Sequence, residues 1–512
     1  MTAPNSPSAA PTSGDGMTSS LRLGSDAEFQ LARSFLQRIN FDDATLCRLL
    51  GLGGMSAIGQ VNWNLKADAL PQPLGLCVEV FIRGLLVDTA KLADAIGPET
   101  MAAMCSLGLL KALTPDPAKS FAPIWLYPAD GVLIVSDRHD DPDSGSVSPA
   151  EDVVFPAIYG GTLRFLQLLP AANGGDALDL CGGTGIGAFR LARTARSSAT
   201  ADLTPRSAHF AAFNARLNQL PVESLCGSLY EPVGDRQFDL IAAHPPFVPA
   251  VGPTMVYRDA GETGDDVTRG VIEGLPAHLR VGGRCVVLCV SRDTTEQQIE
   301  TRARGWLGEH AGEFDVVFAL EKVLSVDDVV GSFKKRGQFG SPEIEQQLRE
   351  RLAAAATRQF VYGALLIERP AGGCRLKPGR VQMESTATAD DFNRLRRIRH
   401  ARNQPGFNQW LADSQPRLAT ALELRARHVV KDGELVPAEF VFALEGVLPA
   451  ALCTDGFVVP LIARLDGKNS VRATFAASAA LDELPTGFPL EALLDLVGRM
   501  LEQGFLEVTL PA

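Results

Sequence analysis

The chain has 512 residues, of which 46% are hydrophobic and 21% charged, and a formal net charge of −12. That length is enough for roughly three domains, and the composition is ordinary for a soluble globular protein. An acidic chain is a poor generic nucleic-acid binder, because phosphate contacts dominate that affinity, and no run of about eighteen apolar residues is present to cross a membrane.

The N-terminal stretch MTAPNSPSAAPTSGDGMTSS, residues 1–20, has neither a basic segment nor an apolar core. It therefore reads as a disordered tail and not as a signal peptide, and the expected location is cytoplasmic. Residues 21–140 read as a mainly helical accessory domain. Phe29, Ala32, Phe35, Leu36 and Ile39 recur at helical spacing. Thr89–Gly97 and Met101–Leu110 read as two helices joined by a Gly-Pro turn. Ile124–Tyr127 and Val132–Val135, around Pro128-Ala129-Asp130-Gly131, read as a hairpin. Two helices followed by a hairpin make a winged-helix pattern. Such a unit binds DNA, docks a substrate or forms a homodimer; the lack of a basic helix face favours the last two uses.

Asp140–Ser148 is a polar linker. Over 150–370 short apolar runs alternate with helical stretches, which implies βαβ units and a parallel, doubly wound sheet. Seven strands are expected: Ala177–Cys181, Ala199–Asp202, Ser224–Cys226, Phe238–Ala243, Arg284–Val290, Asp315–Leu320 and Phe360–Glu368. Arg369–Arg380 reads as a Gly/Pro-rich connector. The remainder, 385–512, reads as a small α+β accessory domain that is winged-helix-like at its end. It opens with Arg394, Arg396, Arg397, Arg399 and Arg402, which read as a solvated helix face or a docking surface for an acidic partner. Lys334-Lys335-Arg336 is a second local basic stretch. Leu490, Leu493, Leu494, Val497 and Leu501 mark a last helix, followed by a turn at Gly504 and a strand at Phe505–Val508.

The nine cysteines form no CxxC pair, and the seven histidines show no ligand spacing. Buried, reduced thiols and no metal are expected.

The chemistry concentrates at four strand ends. Asp179-Leu180-Cys181-Gly182-Gly183-Thr184-Gly185 carries an apolar strand through glycines into a helix. Glycine serves where backbone turns sharply or approaches a ligand closely, and the end of the first strand of an α/β sheet borders its ligand crevice. The spacing is not the dinucleotide GxGxxG; it resembles the first motif of class I methyltransferases. Asp179 either orients the loop, meets the methionine amino group or is a surface turn residue. The strand Ala199–Asp202 ends in an acid followed by Leu203, and a carboxylate there accepts the ribose hydroxyls; the alternative is a helix N-cap. Ser228-Leu229, after the third strand, would flank the adenine.

The fourth strand ends in His244-Pro245-Pro246-Phe247. Here the sequence resembles the release-factor glutamine methyltransferase family and its relatives in the small-domain superfamily, which carry NPPY or NPPF. The likeness spans about 150–370 and includes Tyr257–Gly264 and Val271–Val290. It implies a Rossmann-like seven-stranded methyltransferase sheet and S-adenosylmethionine as cofactor, bound by Asp179, Cys181, Gly182, Gly183, Thr184, Gly185, Asp202, Leu203, Ser228, Leu229 and His244. It also implies a methyl acceptor that is a protein, peptide or small molecule. Many family members have Asp where Ser228 stands.

Prolines leave carbonyls without a neighbouring N–H, so the carbonyl of Pro245 can accept a bond from an acceptor N–H. Phe247 can pack on a flat group or face the sulfonium. His244 replaces the family's Asn. A neutral imidazole both donates and accepts, and it can also take a proton. Nitrogen methylation with His244 as an orienting group is the first expectation. O-methylation with His244 as general base is the second. A DNA-binding regulator that senses S-adenosylmethionine is a third, and a structural histidine at the strand end a fourth.

Overall fold

The computed structural model describes residues 21–66, 70–114, 116–138, 140–141, 145–146, 150–250, 255–335 and 339–510. The expected tail at 1–20, most of the 140–148 linker and Arg336 lie outside the described residues. No helix among the described residues is long and apolar enough to cross a membrane.

The first helix, α1 (Asp26–Arg38), begins at a capping box of Ser25 and Glu28 and buries Phe29, Ala32, Phe35 and Leu36, the spacing read from sequence. Thr89–Ile96 and Pro98–Ser106 form the expected helix pair. Three short antiparallel strands, Val87–Asp88, Lys119–Phe121 and Lys111–Ala112, flank them. The hairpin follows as β1 (Trp125–Ala129) and β2 (Val132–Ser136). Its turn residues Asp130 and Gly131 have φ of 51° and 71°, the left-handed pair that a two-residue hairpin of correct twist requires.

The central region runs α2 (Gly160–Leu168), β3 (Asp176–Leu180), α3 (Ile186–Ala192), β4 (Ser197–Asp202), α4 (Pro205–Asn218), β5 (Val222–Cys226), β6 (Phe238–Ala243), β7 (Leu279–Thr294), β8 (Asp315–Leu324), β9 (Thr357–Glu368) and β10 (Gly379–Gln382). One sheet collects these strands in the order β5-β4-β3-β6-β7-β9-β8-β10. All pairs are parallel except those of β9, which runs antiparallel to β7 and β8. The seven expected strands are present. The eighth, β10, lies where a connector was expected, because Lys377-Pro378-Gly379 obscures four residues of strand. Its Arg380 bonds Asp293 at 2.7 and 2.8 Å and Glu300 at 2.7 Å, which ties the added strand down.

The two accessory regions attach to this sheet by different means. At the N-terminal side the hairpin expected to complete the helical module lies along α4 instead. Asn214 accepts from the Val135 N–H at 2.8 Å and donates to its carbonyl at 3.0 Å. One turn on, Asn218 does the same for Leu133 at 2.8 and 2.7 Å. Two asparagines four apart on a helix thus supply the bonds that a further strand would give the edge of β2. Nearby, Phe29 meets Phe213 edge-on at 4.9 Å, so α1 also packs on α4.

At the C-terminal side, α5 (Asn393–Asn403) carries the arginine run. The expected solvated face is a correction. Arg399 is 6% exposed, bonds Asp315 of β8 at 2.6 and 2.8 Å, and pairs with Glu502 at 3.1 Å. Arg402 reaches Glu502 and Asp495, Arg394 donates to the Leu501 carbonyl at 2.8 Å, and Arg396 pairs with Glu368. Arg396, Arg399 and Arg402 thus find their acidic partners in the protein's own sheet and last helix, while Arg397 is exposed, as expected. Beyond α5 a three-stranded antiparallel sheet that sequence reading missed spans β11 (Leu422–Lys431), β12 (Glu434–Leu444) and β13 (Ala450–Thr454). The last helix, α6 (Leu490–Gln503), ends at Gly504 with φ of 90°, as expected, and Leu506–Glu507 then pairs with Arg417–Leu418.

Removing one member of a buried ion pair leaves the other charge uncompensated, at a cost of about 3–5 kcal/mol. Arg399→Ala should lower the unfolding free energy by about that amount in urea titrations. An unchanged midpoint would mean that the C-terminal region is held without this pair.

Candidate functional site

The parallel register sets the site. Leu180 of β3 lies level with Ala201 of β4 and Ala243 of β6, and Asp202 lies level with Cys226 of β5. The loops that leave these four strands therefore emerge side by side. The strand order reverses between β3 and β6, which is where a crevice opens outside the carboxyl ends of an α/β sheet. The residues singled out from sequence fall on these loops, except Asp179, which lies within β3, and Asp202, which closes β4.

The loop after β3 passes close over the sheet. Cys181, Gly183 and Gly185 take left-handed φ values of 58°, 53° and 85°. A Cβ at Gly182 would stand 1.8 Å from the Thr200 hydroxyl, and one at Gly187 would stand 2.5 Å from an Asp179 oxygen. Cysteine in that backbone region costs of order 1 kcal/mol, held here by the surrounding contacts. Asp179 is no surface turn residue: it is buried inside β3 and accepts from the Ala188 N–H at 3.0 Å, which fixes the first turn of α3. Burial pushes its carboxyl up to about 7, the Ala188 bond opposes this, and the charge of Asp202 adds to it. Burial likewise pushes the Cys181 thiol up. Thr184 is buried, and its carbonyl accepts from Asn214 at 3.0 Å, so the residue that holds the hairpin also holds this loop.

Asp202 crosses to the same loop. One carboxylate oxygen accepts from the Gly183 N–H at 2.9 Å and the other from the Thr204 N–H at 3.2 Å. The N-cap of α4 is Thr204, whose hydroxyl accepts from the Ser207 N–H at 3.0 Å. Asp202 is therefore not the helix cap, and its oxygens keep further lone pairs for a ligand. Leu203 beside it is 57% exposed. Ser228 is exposed and donates its N–H to Glu231 at 3.2 Å, while Leu229, with φ of 47°, lies against Gly270.

The His244-Pro245-Pro246-Phe247 segment leaves β6. The imidazole stacks on Phe165 of α2 at 5.5 Å and 26°, and tilts toward Phe247 at 6.1 Å. Burial pushes it down to about 4. Among the described residues nothing hydrogen-bonds its ring nitrogens or the carbonyl of Pro245. A Cβ at Gly161 would stand 3.6 Å from the ring, at van der Waals contact, so the start of α2 lies against the imidazole. Phe165, Gly161, Thr200 and Asn214 were missed from sequence. Only the Gly-Gly pair before an apolar helix offered a signal.

These features fit S-adenosylmethionine. The cradle between Gly182 and Gly185 admits no side chain at its closest point, and nothing stands within 4 Å of a Cβ at Gly183, which leaves room beside the loop. The Thr200 hydroxyl is buried without a hydrogen-bond partner against that loop. Asp202 offers ribose a carboxylate, and Leu203 offers a ring an apolar face.

Comparison with known proteins agrees. The family model described as methyltransferase small domain matches residues 157–316. The chain is 30% identical over 130 residues to the release factor glutamine methyltransferase of Geobacter sulfurreducens, covering 23% of this chain and 46% of that protein. It is 33% identical over 141 residues to the enzyme of that name from Deinococcus radiodurans, covering 25% and 50%. It is 29% identical over 198 residues to the ribosomal protein uL3 glutamine methyltransferase of Bradyrhizobium diazoefficiens, covering 32% and 60%. The chain thus spans about half the length of the curated relatives it matches. With the strand order, the glycine cradle and the acid-ended β4, this identifies residues 157–316 as a methyltransferase small domain of the class I, S-adenosylmethionine-dependent type.

Proposed function

We propose that the chain methylates a nitrogen, foremost an amide nitrogen of a protein or peptide, with a small molecule as the lesser alternative. The observation that carries this reading is a pair of free acceptors side by side: the unbonded Pro245 carbonyl and the unbonded nitrogens of a His244 held neutral by burial. The names of the relatives, which specify glutamine in a release factor and in a ribosomal protein, point the same way.

The cofactor supplies a methyl group on a sulfonium, open to in-line attack. The protein's task is to hold a lone pair on that axis. The Pro245 carbonyl accepts one N–H of the acceptor, a neutral imidazole accepts or donates a second bond, and Phe247 covers the planar group. Asp202 and the loop 182–185 fix the nucleoside end, Leu203 and Leu229 flank the ring, and Asp179 shapes the cradle from beneath. A base with a pKa of about 4 is a weak proton acceptor at neutral pH, so the geometry supports orientation over the O-methylation reading. The N-terminal helical unit, in the same reading, serves docking: its α1 is committed to α4, with Arg216 and Asp26 paired at 2.7 Å. That use, in an acidic chain, supports an enzyme over a DNA-binding regulator, and the proposed setting is the cytoplasm.

Two measurements follow. Folding raises Asp179 from 3.8 to about 7, so between those values the folded protein holds a proton that the unfolded chain releases. Stability is then lost as pH rises through that window. Asp179→Asn stays neutral, so the unfolding free energy of wild type relative to the variant should fall from pH 5 to pH 8. A constant difference would show that the carboxyl ionises normally.

His244→Asn restores the motif of the family and should keep turnover within about tenfold on a glutamine-bearing protein acceptor. The wild-type rate should be level from about pH 5.5 to 8, well above the imidazole's value. A loss of about 10²–10⁴, the usual share of a general base, together with a rate that rises through pH 6–7, would instead establish the base mechanism.

A further inference from the structure

Large aromatic side chains left in solvent are normal when scattered and informative when contiguous. Phe155, Tyr159 and Tyr257 are 38%, 41% and 37% exposed. They form a row: Phe155 stacks on Tyr159 at 5.0 Å and 29°, and on Tyr257 at 5.0 Å and 10°. Trp125 of β1 meets Tyr159 edge-on at 6.5 Å.

Both ends of the row lie on segments that pack against the methyl-transfer site. Tyr159 is the N-cap of α2, two residues before the Gly161 that lies against His244. Tyr257 is two residues before Asp259, which bridges to Val248, the residue after Phe247. The N–H of Val248 donates to the Arg258 carbonyl at 3.0 Å, and that of Ala260 to the Val248 carbonyl at 2.9 Å.

The charges left unpaired on the segments that carry the row are, among the described residues, acidic. The Glu151 carbonyl accepts from the Val256 N–H at 3.0 Å, which puts that residue next to Tyr257. Glu262 follows on the same loop as Tyr257. Both are exposed, and neither has a cationic partner among the described residues. The nearby cation, Arg258, is neutralised by Asp259 at 2.6 Å. Exposed π faces with unpaired carboxylates attract cations, a planar guanidinium best of all, because it stacks and pairs at once. The same carboxylates repel phosphate.

We propose that the Tyr257–Phe155–Tyr159 row is a docking subsite for the arginine side chains of a basic peptide segment next to the methylated residue. This rests on the reading of the site as a protein methyltransferase and names the kind of protein it selects. A nucleic acid, whose bases could stack on the same rings, is the rival occupant.

The test is calorimetric titration of the full chain with hexa-arginine, hexa-lysine, hexa-glutamate and a short single-stranded oligouridylate. Hexa-arginine should bind more tightly than hexa-lysine, and the two anionic probes should not bind. Tyr257→Ser and Phe155→Ser should each weaken hexa-arginine by about three- to tenfold, whereas Tyr257→Phe, which keeps the ring, should stay within about twofold. Oligouridylate binding more tightly than hexa-arginine would overturn the proposal. So would peptide affinity unmoved by the serine variants, which would reduce the attraction to the overall acidity of the chain. S-adenosylmethionine is titrated separately into the wild type. Its failure to bind would sink the methyltransferase reading, while the peptide series would still decide the occupant of the row.

Discussion

The close passage of the Cys181–Gly187 loop over the ends of β3 and β4 is the constraint on which the site depends. A Cβ at Gly182 would collide with Thr200, and one at Gly187 with Asp179, so the loop can lie there only because those positions carry no side chain. That passage brings the Gly183 N–H to Asp202 and the Ala188 N–H to Asp179. Two carboxylates from neighbouring strands thereby fix one loop, one from the cleft side and one from below. Asn214 adds a third anchor through the Thr184 carbonyl, and with its other bonds it carries the β1–β2 hairpin. The cradle and the packing of the N-terminal region thus share a single side chain.

A second theme is the use of arginine as a long-range tie. Arg399 and Arg380 reach carboxylates on β8, β7 and the helix after it, and both sit on segments that follow the last strand of the expected sheet. Arg164, in α2, does the same from the other end: it pairs with Glu321 at 2.8 Å and donates to the carbonyls of Ala387 and Glu384. The helix that presents Phe165 to His244 is therefore tethered to the start of the C-terminal region. Bidentate guanidinium geometry suits such joints, because it fixes direction as well as distance.

Much of the catalytic region was legible because its residues answer to local backbone needs. Glycines after an apolar strand, an acid at the next strand end and a proline pair after the fourth each state a backbone requirement in a few residues. Residues that act across the chain were not legible. Nothing near Asn214 and Asn218 announces that they replace a strand partner for β2. Phe165 is an ordinary apolar position of an amphipathic helix until β6 places His244 beside it. The arginine run of α5 reads as solvated because its carboxylates, Asp315 and Glu502, lie 84 and 103 residues away. β10 was hidden by the proline before it and the glycine that opens it, and the exposed β11–β12 hairpin buries too little to print a clear alternation.

The central claim is that the loop between β3 and α3, together with Asp202, holds S-adenosylmethionine. Amide hydrogen exchange on the full chain, with and without the cofactor at saturation, tests it most directly, since bound backbone and its supports open less often. The account predicts slower exchange across 182–188 and 203–208, with little change in β11–β13. Protection confined to another part of the chain, or no protection at saturating cofactor, would contradict it.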